Sequence, residues 1–247
     1  MPNENTKYIV IAAALPMELA GLKKRGRFGR AGIPGVEAAT GTLDGRDVAL
    51  VVSGIGEERA YETARAVLSS LTASAYVSVG LSGSLNEGLK PGAVVVGESV
   101  KCACNGEVFH SDAALLSAAS EAIKKGAGAT FGPLYASSVV VTTSADKYRL
   151  AAETGCVALD METCGAARGA FGAGVPFMAV RVVSDGLDDD LPVDFNRFTK
   201  DGKMDWPRFM AHVLTHPGTI PPLMRLGRRS ALAAGNLADA LLYILIR

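Results

Sequence analysis

The stretch "VPFMAVRVVSD", residues 175–185, decides how the rest of the chain is read. It is an apolar run of strand length that carries Arg181 in its middle and stops at Ser184-Asp185, just before the polar loop "GLDDD". A run that is apolar on both faces reads as a buried strand of a parallel sheet. Side chains alternate along a strand, so Phe177, Ala179, Arg181, Val183 and Asp185 share one face. Two readings of the charges stand side by side. Arg181 pairs internally and Asp185 caps the next segment, or Asp185 works as an acid whose pKa is raised by partial burial in a crevice.

Six further runs resemble this one: residues 8–15, 47–56, 75–83, 92–100, 137–143 and 156–162. Each is rich in Val, Ile or Ala, and most end in Gly, Ser or Asp. Between them lie stretches such as "EERAYETARAVLSSL" and "SADKYRLAAET", with apolar residues at three- and four-residue spacing. The alternation predicts an α/β fold, a three-layer α/β/α sandwich around a mixed, partly parallel sheet. In such sheets ligands bind outside the carboxyl ends of the strands. The 247 residues read as one domain, with an irregular appendage from about 192 to 247 that ends in an amphipathic helix near 230–246.

Bulk composition excludes several classes. The chain is 49% apolar and 20% charged, a balance suited to a soluble globular protein. Formal net charge is zero, so nothing marks it as a partner of nucleic acid. Cys102, Cys104, Cys156 and Cys164 form no Cys-x-x-Cys pair and read as reduced thiols of a cytoplasmic protein. His212 and His216 are four apart but have no glutamate between them, so no metal is expected, and no cofactor either. The start lacks a basic region ahead of its short apolar run, which is too short for an export signal. Asn236 and Asp239 interrupt the last apolar run, which therefore does not span a membrane.

The strand ends carry the candidate chemistry. "AALPMEL" opens a helix at Pro16 and puts Glu18 in its first turn, which is ordinary dipole complementarity or a carboxylate facing the crevice. "SGIGEERA" is a Gly-rich turn, but Arg59 stands where a dinucleotide fingerprint needs its third glycine. In "VGLSGSLNEG" small residues such as Gly83 permit close backbone approach, and a tight turn alone also explains them. "LDMETCGAARGA" sets Asp160 and Glu162 where strand becomes helix. Glu162 caps that helix or accepts two neighbouring hydroxyls, as on a ribose.

Taken in order, these motifs resemble the purine nucleoside phosphorylase and nucleosidase superfamily, and most closely its methylthioadenosine/S-adenosylhomocysteine nucleosidases. The resemblance runs from about residue 8 to 190. Its most specific parts are "LDMETCG" and "VRVVSDGLD", about twenty residues apart. It implies that Asp185 shares a proton with N7 of a purine and that Ser184 orients that carboxyl. It further implies that Glu162 holds the ribose hydroxyls, that Met161 lies beneath the sugar, and that Glu18 activates water. Val139 and Val140 match the positions that flank adenine, and Gly83 lies in the matching Gly-rich segment. Ser78 and Leu81 stand where phosphorylases carry arginine and serine, so the resemblance favours hydrolysis over phosphorolysis.

The tail, with Arg225, Arg228 and Arg229, resembles the hopanoid-associated members of the superfamily, which implies an adenosylhopane-like nucleoside and a peripheral membrane contact. A nucleoside substrate, possessed of a lipid or not, and a homodimer are the expected partners. A true phosphorylase and a non-catalytic nucleoside-binding protein remain the alternatives.

Overall fold

The computed structural model describes residues 6–200 and 203–246; the start of the amino-terminal stretch, residues 201 and 202, and the final Arg247 lie outside the described residues. The elements run β1 (Tyr8–Ala13), α1 (Pro16–Lys23), β2 (Arg27–Arg30), β3 (Glu37–Leu43), β4 (Arg46–Val52), α2 (Glu57–Ser70) and β5 (Ala73–Ser84). They continue with β6 (Val94–Cys102), β7 (Val108–His110), α3 (Ala113–Ala122), β8 (Ala129–Ala136), α4 (Ser144–Thr154), β9 (Ala158–Asp160), α5 (Thr163–Gly172) and β10 (Phe177–Asp185). A short antiparallel pair, β11 (Thr199–Lys200) and β12 (Lys203–Met204), precedes α6 (Trp206–Thr215) and α7 (Ile220–Leu241).

The sheet is mixed, with β1 parallel to β4 and β5, and β5 parallel to β10. Its far side curls round. β10 pairs antiparallel with β6, β6 runs parallel to β8, β8 to β9, and β9 returns antiparallel to the end of β5. Alternation along each strand supplies two apolar faces. Val10, Ala12, Tyr76 and Ala179 pack with Ala64 and Val67 of α2 and Ala166 and Ala170 of α5. Ile11, Val77, Met178 and Val180 pack with Leu22 of α1, Ala119 of α3 and Leu237 of α7. The result is the three-layer α/β arrangement that the alternation of strands and helices predicts.

Three local readings need correction. Residues 137–143 form a loop, and the strand lies just before it as β8. Pro133 hides that strand: it falls where the β6–β8 register skips between Gly97 and Val100, so its missing N–H breaks no regular pair. The edge strand β2 and its neighbour β3 are not legible in the sequence because "RFGR" and "EAATGTL" carry little apolar alternation. Their neighbour β4 follows an Asp44-Gly45 turn with both residues at positive φ, the twist-matched geometry of a two-residue hairpin. The cysteines are not all reduced, since Cys102 at the end of β6 and Cys164 in α5 form a disulfide with Cα atoms 5.6 Å apart. They are brought together by the packing of α5 on the sheet, which no local spacing reports. Cys104 and Cys156 are free.

In the tail, α7 starts ten residues before the expected helix, with prolines in its first turn, where a missing N–H costs little. It buries Ala233, Leu237 and Leu241 against the sheet. Among the described residues no helix is long and apolar enough to cross a membrane.

The small residues of α5 let it lie close to α2. A Cβ added at Gly165 would stand 1.9 Å from the carbonyl oxygen of Glu57, and one at Gly169 would stand 2.5 Å from Ala64 Cβ. Gly165→Ala must push the two helices apart, with an expected loss of about 1–3 kcal/mol. A thermal melt that does not move would show that the contact yields freely.

Candidate active site

The carboxyl ends of β1, β4, β5 and β10 lie along one edge of the parallel part of the sheet, and β9 closes against the end of β5. Most of the acidic residues singled out in the sequence sit there. Glu18, the third residue of α1, is buried although ionisable. Its Oε2 accepts the Leu15 N–H at 2.7 Å, and its Oε1 accepts the Leu81 N–H from the end of β5 at 2.8 Å. Gly80 makes this approach feasible, since a Cβ there would lie 2.8 Å from Glu18 Oε1. Burial pushes the Glu18 carboxyl above its ordinary range; the two N–H donors and Arg181 pull the other way.

Glu162 precedes the first residue of α5 and reaches across to the Gly-rich turn after β4, where its Oε1 accepts the Gly56 N–H at 2.7 Å. The close α2–α5 contact therefore sets this carboxyl against the turn that opens α2. Burial, and next the charge of Asp160, push Glu162 up to about 7. Glu18 is thus bonded to the end of β5 and Glu162 to the turn after β4, at neighbouring strand ends. Met161, half-buried, lies between Asp160 and Glu162 on the same strand-to-helix corner.

Arg181 does pair internally. It is only 1% exposed, and its Nε meets Asp160 while its terminal nitrogens donate to Thr163 Oγ1 at 2.5 Å, Ser78 Oγ at 2.8 Å and the Val180 carbonyl at 3.1 Å. Thr163 donates in turn to Asp160. Asp160 is thus committed to this internal cluster rather than to the cleft.

Asp185 ends β10 one residue beyond a register shift against β5, an irregularity of the kind that re-aims a side chain. Its Oδ1 accepts the Ser184 hydroxyl at 2.6 Å, and Ser184 lies within reach of the Ser82 carbonyl as well. Its Oδ2 faces Gly83, where an added Cβ would stand 3.1 Å away. The same oxygen accepts an ammonium that sequence reasoning missed, Lys147 of α4, at 2.5 Å. One signal pointed to it: Lys147 shares a helix face with the buried Leu150, where a solvated lysine has no place.

Val139 and Val140 lie in the loop after β8. Val139 is 55% exposed, and its carbonyl accepts from Ser137; Val140 is held through its N–H and carbonyl by Asn196. The Leu191 N–H donates to the Thr142 carbonyl, so this loop runs beside the one that follows Asp185. Among the described residues the metal-capable group is Glu57, Cys104 and Cys164, but Cys164 is consumed by the disulfide and Glu57 is paired with Arg168.

A raised carboxyl sets the sign of a pH effect. Between the ordinary value of 4.5 and about 7, the folded chain keeps on Glu162 a proton that the unfolded chain has lost. Stability of the unliganded protein should therefore fall as pH rises through that window and stay lower above it. Glu162→Gln removes this slope, so the variant should gain in melting temperature on the wild type between pH 5 and pH 8. Parallel melting curves of the two proteins across that range would contradict the placement of Glu162.

Comparison with known proteins bears on the whole arrangement. The 5′-methylthioadenosine/S-adenosylhomocysteine nucleosidase of Haemophilus influenzae (strain PittGG) is 27% identical over 175 residues, 64% of this chain and 76% of that protein. The enzyme of the same name from Shewanella sp. (strain W3-18-1) is 28% identical over 189 residues, 67% of this chain and 80% of that protein. Two solved structures share the fold over 97% of this chain. One is the futalosine hydrolase of Helicobacter pylori strain 26695, with a TM-score of 0.77, 17% identity and 97% of that chain covered. The other is the methylthioadenosine/S-adenosylhomocysteine nucleosidase of Neisseria meningitidis in complex with methylthio-immucillin-A, with a TM-score of 0.76, 22% identity and 98% of that chain covered. The family model of the phosphorylase superfamily matches residues 8–214, and the chain belongs to that superfamily.

Proposed function

We propose that this protein is a purine nucleosidase that hydrolyses the N-glycosidic bond of an adenosyl nucleoside and releases adenine. One observation supports the reading: Glu18, Glu162 and Asp185 stand at neighbouring strand ends, bonded to the end of β5, to the turn after β4 and to Ser184, while the guanidinium of Arg181 is already consumed by Asp160, Thr163 and Ser78. A phosphate dianion needs free cationic and backbone donors. Here the Leu81 N–H at the end of β5 is occupied by Glu18, whose carboxylate would repel an anion.

In the proposed reaction Glu18 accepts a proton from water as the water oxygen bonds to the sugar carbon, its elevated pKa suiting a general base. The carbon–nitrogen bond breaks, its electron pair passes into adenine, and N7 takes the proton held on the Asp185 carboxyl, which Ser184 orients, so that adenine leaves neutral and Asp185 is left as the carboxylate. Glu162 takes the ribose hydroxyls, Met161 lies beneath the sugar, Gly83 leaves room at Asp185, and Val139 and Val140 flank the base. Negative charge beside the cleft stabilises the oxocarbenium-like state. The 5′ substituent is proposed to be apolar and lipid-linked, as in adenosylhopane. In support, Ile220, Met224 and Leu232 of α7 are exposed apolar side chains, on the helix whose Pro222, Arg225 and Arg229 line a cavity of about 210 Å³ with Asp185.

A phosphorylase is the second reading. Arg59 favours it, because its guanidinium lies over Gly54 in the turn after β4.

Mass spectrometry of products from 5′-methylthioadenosine and adenosylhopane, with and without phosphate, separates the readings. Adenine and free sugar are expected at equal rates in both buffers. Ribose 1-phosphate appearing only with phosphate would establish the second reading. Asp185→Asn and Glu18→Gln should each lower turnover by about 10²–10⁴-fold, the range of general acid–base catalysis. Adenosylhopane is expected to be the better substrate; preference for the methylthio compound would remove the lipid assignment.

A further inference from the structure

The side chain of Lys147 is fully buried, yet neither proposed chemistry nor packing calls for a cation there. It is the fourth residue of α4, on the face that also buries Leu150, a position an apolar residue would fill at no electrostatic cost. An ammonium has three donors, and all three are used: Asp185 Oδ2 at 2.5 Å, the Gly186 carbonyl at 2.9 Å and the Asp189 carbonyl at 2.8 Å. A buried charge is tolerated only with such complete compensation.

The surrounding contacts extend the pattern. The first turns of α4 hold the acidic loop after β10 through the Ser144 N–H on Asp190 and the Tyr148 hydroxyl on Asp188. Asp189 folds back onto the Gly186 N–H and also meets Arg229 of α7. Each aspartate of "GLDDD" therefore has a partner, and Lys147 is the point where the loop and the Asp185 carboxyl are tied together. With Ser184 on Oδ1 and Lys147 on Oδ2, both oxygens of that carboxyl are fixed, and it faces the space left free at Gly83.

We propose that Lys147 is a positioning residue for the departing base: it acts through Asp185, fixing the carboxyl and the loop behind it so that adenine leaves against an oriented group backed by positive charge. This rests on the assignment of Asp185 to the base. Lys147 touches no reacting atom. Its effect is confined to leaving groups that need Asp185.

The test varies the leaving group at constant 5′ substituent. Substrates are 5′-methylthioadenosine and the 4-nitrophenyl riboside carrying the same methylthio group, whose phenolate departs without a proton. Lys147→Met is expected to lower kcat on the adenine compound by about 100-fold with KM nearly constant, the scale of a lost acid–base contribution. On the nitrophenyl riboside it should remain within about threefold of the wild type. Asp185→Asn should show the same split. The double variant Lys147→Met/Asp185→Asn should be no slower than Asp185→Asn alone, because residues acting through one group are not additive.

The double variant leaves no buried charge unpaired, so it reports on the proposal even where Lys147→Met alone does not fold. Its turnover of the nitrophenyl riboside should match that of Asp185→Asn. Equal losses of Lys147→Met on both substrates, additive losses in the double variant, or failure of the double variant on the nitrophenyl compound would make Lys147 structural and overturn the proposal. If Asp185→Asn itself shows no split, the role of Asp185 falls first, and a wild type that releases adenine from neither 5′-methylthioadenosine nor adenosylhopane removes the proposed function together with this inference.

Discussion

A guanidinium in the middle of a buried strand is the constraint on which much of this structure turns. Arg181 has left water almost completely, and an uncompensated charge there would cost far more than the fold can supply. Compensation comes from four elements at once: Asp160 of β9, Thr163 of α5, Ser78 of β5 and the backbone of β10 itself. Satisfying one side chain thereby fixes where β9 stops, where α5 begins and how both stand against the centre of the sheet. Glu162 and Met161 occupy the corner between Asp160 and Thr163, so their positions follow from the same cluster.

Three carboxyls at one sheet edge are held apart in character by their neighbours. Glu18 is enclosed and meets two backbone donors, with the guanidinium pulling against its desolvation. Glu162 has a single backbone donor and the negative Asp160 nearby, and its burial pushes it up to about 7. Asp185 has an ammonium and a hydroxyl. The same functional group thus stands in three different electrostatic settings along one sheet edge.

How much of this was legible depended on the range of the forces involved. Strands β1, β4, β5, β6 and β10 announce themselves through apolar runs, and the acidic strand ends through short ordered motifs. The third carboxyl's counter-charge did not, because Lys147 and Asp185 are separated by 38 positions and meet only in the folded chain. Strand β8 was masked by Gly132 and Pro133, residues that argue against a central strand unless the register skips beside them. Strands β2 and β3, polar and at the margin of the sheet, lack the alternation that a half-buried strand displays. Pairing of Cys102 with Cys164 is beyond any local pattern, whereas Asp44-Gly45 is a hairpin signal that the sequence itself carries.

The Cys102–Cys164 bond has a consequence for the unfolded chain. It closes a loop of 62 residues that contains β7, α3, β8, α4 and β9, including both Lys147 and the loop of Val139 and Val140. On a chain-entropy account, restricting so long a loop in the unfolded ensemble favours the native state by about 4 kcal/mol. The protein accordingly has two stabilities, one for each thiol state, and its tolerance of heat or denaturant is set in part by the redox poise of the compartment that holds it.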